Sequence, residues 1–185
     1  MTMKYIIFLF FLLPGINSFS ADFRQTDWGM SIEQVKKTEK GEILKESTDK
    51  ITYVETVVNY PALLVFKFNE NRLIWGSYGF KQINDTDEEY LEDFINFNTV
   101  ISNKYGKGEV LDRWTNKDSE YKDDPAMAVK EGDLVMWRSW ETPTTVIKLI
   151  IYGYGGKFNL DTYYFSKRYS DKVSGVYADI LNDKF

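Results

Sequence analysis

ALLVFKFNENRLIWGSYGF, residues 62–80, decides the fold class. Two apolar runs rich in β-branched and aromatic residues flank the turn signal Asn69-Glu70-Asn71. In the first run Ala62, Leu64, Phe66 and Phe68 share one side at the two-residue period, with Leu63, Val65 and Lys67 on the other. This is a β-hairpin, so the chain around it is expected to build antiparallel sheet. Upstream, EILKES and ITYVETVVN read as two more strands, with turns at Ser47–Lys50 and Asn59–Pro61.

Downstream the period changes. DTDEEYLEDFINFNTVISNKYG (85–106) is a helix: Thr86 with Glu89 forms a capping box, and acids crowd the first turn, as the helix dipole favours. Leu91, Phe94, Ile95, Ile101 and Tyr105 are expected on one stripe, and Gly106 closes it. Then VLDRWTN, LVMWRSWE, TTVIKLIIYGY and LDTYYFSKR read as four further strands, with Gly155-Gly156 as a hairpin turn. SDKVSGVYADIL closes the chain as a helix over 170–182.

The two halves resemble one another. EKGEILKES from Glu39 matches GKGEVLDRW from Gly106, NYPALLVFKF matches ETPTTVIKLI, and GSYGF (76–80) matches DTYYF (161–165). The offset grows from 67 to 82 to 85, so about fifteen residues are inserted in the second half, within KDSEYKDDPAMAVKEGD. The expected architecture is a single α+β domain over 21–185. It is a tandem repeat, each half a helix plus a four-stranded antiparallel sheet (about 28–82 and 86–168), with a C-terminal helix and two sheets in all.

Composition sets the setting. Residues 1–20 carry Lys4, an apolar run from Tyr5 to Leu13, a break at Pro14-Gly15 and small residues Ser18 and Ser20. That order is a secretory signal peptide, with cleavage expected after Ser20 or Ala21, and the run is too short for a stable membrane anchor. A periplasmic or secreted protein is expected. The formal charge is −5, and removing Lys4 with the leader makes it −6, with no basic run; nucleic acid is not an expected partner. There is no Cys, so no disulfide supports the core, and no His. Ser–His–Asp and Cys–His nucleophile systems and His/Cys zinc sites are thereby excluded, and no cofactor is expected.

Few residues point to chemistry. In WGMS (28–31), Ser31 with Gln34 is a capping box, Met30 and Val35 hold the hydrophobic-staple positions and Gly29 supplies the turn, so the motif reads as a helix start. Trp28 reads as closing the end of the first sheet. Trp75, Trp137 and Trp140, with Arg138 beside the last two, are candidate binding residues, because a sheet face of Trp and Arg suits sugar stacking or a protein hot spot. The alternative is an aromatic core with arginine at its edge. Trp137 and Trp140 point to opposite faces of a strand, so both are covered only if both faces are. The insertion offers Asp123 and Asp124 as contact residues of a loop; it lacks the glycine and the ligand spacing of a calcium loop. Ser47-Thr48-Asp49-Lys50 spells S-x-x-K, but it lies in a polar turn without the partner motifs of acylating enzymes.

FRQTDWGMSIEQVK and YKDDPAMAVKEGDLVMWRSWETPTTVIKL together resemble a group of uncharacterised bacterial exported proteins. That group shows W-G-M-S at a helix start near the mature N-terminus, here Trp28 to Ser31, and W-x-T-x-x-T-x-I later, here Trp140, Thr142, Thr145 and Ile147. The resemblance implies a periplasmic or secreted α+β domain and brings no catalytic residues. A looser likeness at the level of fold is to β-lactamase inhibitor proteins. The expected function is a non-enzymatic exported binding module for a protein or an envelope glycan. The alternatives are a small envelope hydrolase working through carboxylates and a carrier of an apolar small ligand.

Overall fold

The hairpin read from residues 62–80 forms as β3 (Tyr60–Asn69) and β4 (Arg72–Phe80) in the computed structural model, which describes residues 21–81 and 84–175. The leader at 1–20, the first repeat's expected end at 82 and the helix turns expected over 176–182 lie outside the described residues. Before the hairpin come α1 (Ile32–Thr38), β1 (Glu42–Glu46) and β2 (Lys50–Val57). After it come α2 (Asp87–Tyr105), β5 (Glu109–Val110), β6 (Arg113–Trp114), α3 (Pro125–Lys130), β7 (Leu134–Glu141), β8 (Thr145–Tyr154) and β9 (Lys157–Ser166). A C-terminal helix, α4, begins at 170 and is described to 175.

The strands join one nine-stranded sheet in the order β1-β2-β3-β4-β9-β8-β7-β5, with β6 beside β7, and every pairing is antiparallel. The expectation of two sheets is corrected here: β4 pairs with β9 from Trp75↔Phe165 to Phe80↔Leu160 and fuses the halves. VLDRWTN is likewise two short strands rather than one.

The helix starts follow local chemistry. Ser31 Oγ accepts from Gln34 N while Gln34 Oε1 accepts from Ser31 N, and Thr86 and Glu89 make the same reciprocal pair on α2. On α2 the buried apolar residues are Phe94, Phe97 and Ile101, whereas Ile95 is 56 % exposed, so the expected stripe is shifted by part of a turn. Asp93 is buried with them because Tyr60 Oη and Asn84 Nδ2 donate to its carboxylate.

One face of the sheet carries the main core. Over the second half, α2 and α3 bury Phe94, Phe97, Ile101, Ala128 and Val129 against Ile147, Leu149, Ile151 and Leu160. Over the first half, Phe23, Trp28 and Val35 cover Ile51, Leu64, Phe66 and Leu73. Full burial of each such aromatic or branched side chain contributes roughly 1.5–3 kcal/mol. Two glycines permit the closest approaches. A Cβ on Gly76 would lie 2.1 Å from the Phe23 ring, and one on Gly153 would lie 2.0 Å from Val129 O of α3.

The opposite face is apolar too. Ile74, Val135, Ile150, Tyr152, Tyr163 and Phe165 form a cluster there with Val173 of α4, and Trp75 and Trp137 pack against it. A bulge helps: Lys67 pairs with Trp75 and Phe68 with Leu73, so Ile74 is the extra residue and joins Trp75 in this cluster. Among the described residues no helix is long and apolar enough to cross a membrane.

Candidate functional site

The structure separates the six residues singled out from the sequence. Trp140 is core, 3 % exposed, its Nε1 donating to Gly106 O at 2.9 Å, which corrects its reading as a surface contact. Arg138 turns to the same face, where its guanidinium lies 5.1 Å from the Phe94 ring centre and donates to Asp112. Asp124 caps α3, accepting from Met127 N at 3.0 Å, while Asp123 is exposed one residue earlier. The insertion therefore folds as an ordered cover: α3 contacts α2, β7, β8 and β9, and Lys122 sits 3.6 Å over the Trp114 ring of β6. Only Trp75 and Trp137 share the opposite face, three strands apart and both half-buried, and each has a buried Nε1 with no hydrogen-bond partner among the described residues.

On the same face lies a cleft of about 480 Å³ between the sheet and α4. Cross-strand register builds its floor. Trp75, Phe165, Val146 and Glu141 fall in one row across β4, β9, β8 and β7, and Tyr163, Lys148, Ser139 and Glu109 fall in the next. Phe165 and Val146 supply apolar surface to the cleft, with Val173 from α4 opposite, and the Trp75 ring lies 6.4 Å from that of Phe165.

The polar lining alternates with this surface. Ser139, Ser170 and Ser174 bring hydroxyls, and two lysines, Lys148 and Lys167, balance two glutamates, Glu109 and Glu141. Ser166, 1 % exposed, alternates with Phe165 and so turns its side chain to the other face, beside its cross-strand partner Thr145. Lys167 Nζ donates to Glu141 Oε2 at 2.8 Å; that bond and charge, aided by Lys148, hold the Glu141 carboxyl below its ordinary range. Deeper on the same face, the Tyr152 and Tyr163 hydroxyls donate to Asp161 Oδ2 at 3.2 and 3.1 Å. Burial first, and then the Asp161 charge, push both phenols far above their ordinary range, so they act as donors.

This arrangement offers an aromatic and aliphatic floor, hydroxyl groups and a charge-neutral rim. Among the described residues no three carboxylates gather as a metal site. Sequence reading missed Ser139, Tyr163, Asp161 and the serines of α4. The alternation in LDTYYFS places Asp161, Tyr163 and Phe165 on one side, which was the available signal; which side the C-terminal helix covers is a long-range matter. No protein-family model, curated protein or solved structure matches the chain.

Proposed function

We propose that the protein is an exported binding module that holds a sugar unit of an envelope glycan in the cleft between its sheet and α4. The observation that carries this reading is the apolar floor of Phe165 and Val146 set beside the polar row of Ser139, Lys148 and Glu109. Sugars present apolar ring faces and a rim of hydroxyls, and an aromatic surface flanked by donors and acceptors suits both. The balanced lysines and glutamates favour a neutral or zwitterionic ligand over a strongly charged one. The test is a titration of the mature protein with soluble N-acetyl amino-sugar and glucan oligosaccharides, followed by tryptophan fluorescence and NMR. Saturable binding that weakens several-fold in Ser139→Ala supports the reading; no saturation at millimolar sugar, or undiminished binding in that variant, rejects it.

A carboxylate hydrolase is the second reading, since Glu109 and Glu141 share the cleft. Glu141 is a poor general acid there, because Lys167 favours its charged form and an acid needs a raised pKa. Turnover of the same sugars, lost in Glu109→Gln, would put that reading first.

The same proposal extends to origin by tandem duplication. Supporting it, α1-β1-β2-β3-β4 and α2-β5-β7-β8-β9 share one order once the short β6 and, in the insertion, α3 are set aside. At an offset of 85, Trp75 corresponds to Leu160 and Phe80 to Phe165. These are the residues that end the β4–β9 ladder, so exchanging the halves maps that ladder onto itself.

A further inference from the structure

A second cleft, of about 590 Å³, opens where the N-terminal segment meets the end of α2 and the β7–β8 turn. Ala21 lines it, and the chain is tied down immediately afterwards. Asp22 Oδ2 accepts from Trp28 N at 2.9 Å, and its Oδ1 accepts from the Thr144 hydroxyl. Phe23 is 2 % exposed, stacked on Trp28 and packed against Tyr164. Trp28 Nε1 in turn donates to Thr145 Oγ1 at 2.9 Å, so the W-G-M-S and W-x-T-x-x-T-x-I segments dock on each other at this cleft. A chain end at Ala21 therefore has one residue of slack at most.

The charges around that position are uneven. Asp22 and Asp27 come from the N-terminal segment, Lys104 and Tyr105 from the last turn of α2, and the β7–β8 turn adds Thr142, Thr144 and Thr145. Two carboxylates face one ammonium, a net charge of −1 in the lining. Asp27 is exposed and has no hydrogen bond or ion pair from its side chain among the described residues. The carbonyl end of α2, which also favours a cation, borders the same space.

We infer that this cleft is the seat of the chain's own α-ammonium group, released at Ala21 when the leader is cut after Ser20, and that pairing with Asp27 makes maturation stabilise the fold. The inference rests on the reading of residues 1–20 as a cleaved leader. Before the cut the Ala21 nitrogen is a neutral amide and the pair is missing; after it, the cleft is neutral. An α-amine titrates near pH 8 in the unfolded chain, and pairing raises its folded value. The stabilisation is thus fully present below about pH 8 and is lost as pH rises through the raised value.

The mass of the protein exported by its own host is measured first: a chain beginning at Ala21 is expected, and a retained leader or a different first residue overturns the inference, the retained leader overturning the export reading with it. Thermal unfolding is then compared for the Ala21 chain with a free and with an acetylated α-amine, each with and without Asp27→Asn. At pH 6.5 acetylation is expected to lower Tm by roughly 2–4 °C, with the gap closing above about pH 10 and absent in the Asp27→Asn pair. Equal Tm values at pH 6.5, or a gap that survives in Asp27→Asn, overturn the inference while leaving the leader reading intact.

Discussion

The two halves of the sheet are covered by different means. Over β1–β4 the cover is an extended segment and the short α1, which work through single side chains: Phe23 on Gly76, Trp28 toward Thr145, Val35 on the strands. Over β7–β9 the cover is two helices, and at Gly153 the backbone of α3 itself rests on β8. A ring can turn or shift by tenths of an ångström; a helical carbonyl held by its own hydrogen bonds cannot. The first half is therefore the more forgiving of the two.

The largest effect should come from forcing that difference. Gly153→Ala places a methyl group against Val129 O and Lys130 O and is expected to cost about 3 kcal/mol or more, read by urea denaturation. Gly76→Ala, against a ring, should cost about 2 kcal/mol. Adding Phe23→Leu should recover part of the loss in Gly76→Ala, whereas no side-chain trimming should rescue Gly153→Ala. Equal, unrescuable losses at both glycines would erase the distinction between the halves.

Trp28→Phe tests one of the hydrogen bonds, beside Thr144 to Asp22, by which the first half's cover holds the second. Loss of the Trp28–Thr145 bond and of ring volume should cost about 1–2 kcal/mol. Hydrogen exchange should rise at the β7–β8 turn as well as in the N-terminal segment; a change confined to the segment would show that the halves are not coupled there.

The smallest effect compares matching ion pairs, Lys67–Asp49 in the first half and Lys167–Glu141 in the second. Each lysine's hydrogen bond holds its carboxyl below the ordinary range. A lowered carboxyl pKa contributes stability above the unfolded value that fades as pH falls through the folded one. Lys67→Met and Lys167→Met should each slightly flatten the acid limb of stability below about pH 4, and high salt should abolish the difference because both pairs are exposed. A change on the alkaline side instead would assign the lysines another role.

Much of this was legible locally. Alternation in ALLVFKF put Ala62, Leu64, Phe66 and Phe68 on one face, and all four are buried there. Both capping boxes form as read, because a cap involves residues three apart and needs no tertiary partner. On α2 the stripe went astray at Ile95 and Phe97, which sit on either side of its edge; packing on the Tyr60 and Phe80 rings of the sheet, not periodicity, chose Phe97. Parity correctly divided Trp137 from Trp140 between the two faces, but parity says nothing about what lies over each face.

The amino-acid sequence by itself determined the α+β class, most of the strands, where α1, α2 and α4 begin and a chemistry without histidine or cysteine. These are properties of composition and of neighbours a few residues apart. Only the tertiary structure decided that β4 meets β9 to make one sheet, that Trp140 is core, and that α4 lies over the face carrying Phe165 and Tyr163. Each of those depends on contacts between residues far apart in the chain. Pairings of that kind form only after the cost of closing long loops has been met, and no local pattern records which of the compatible closures wins.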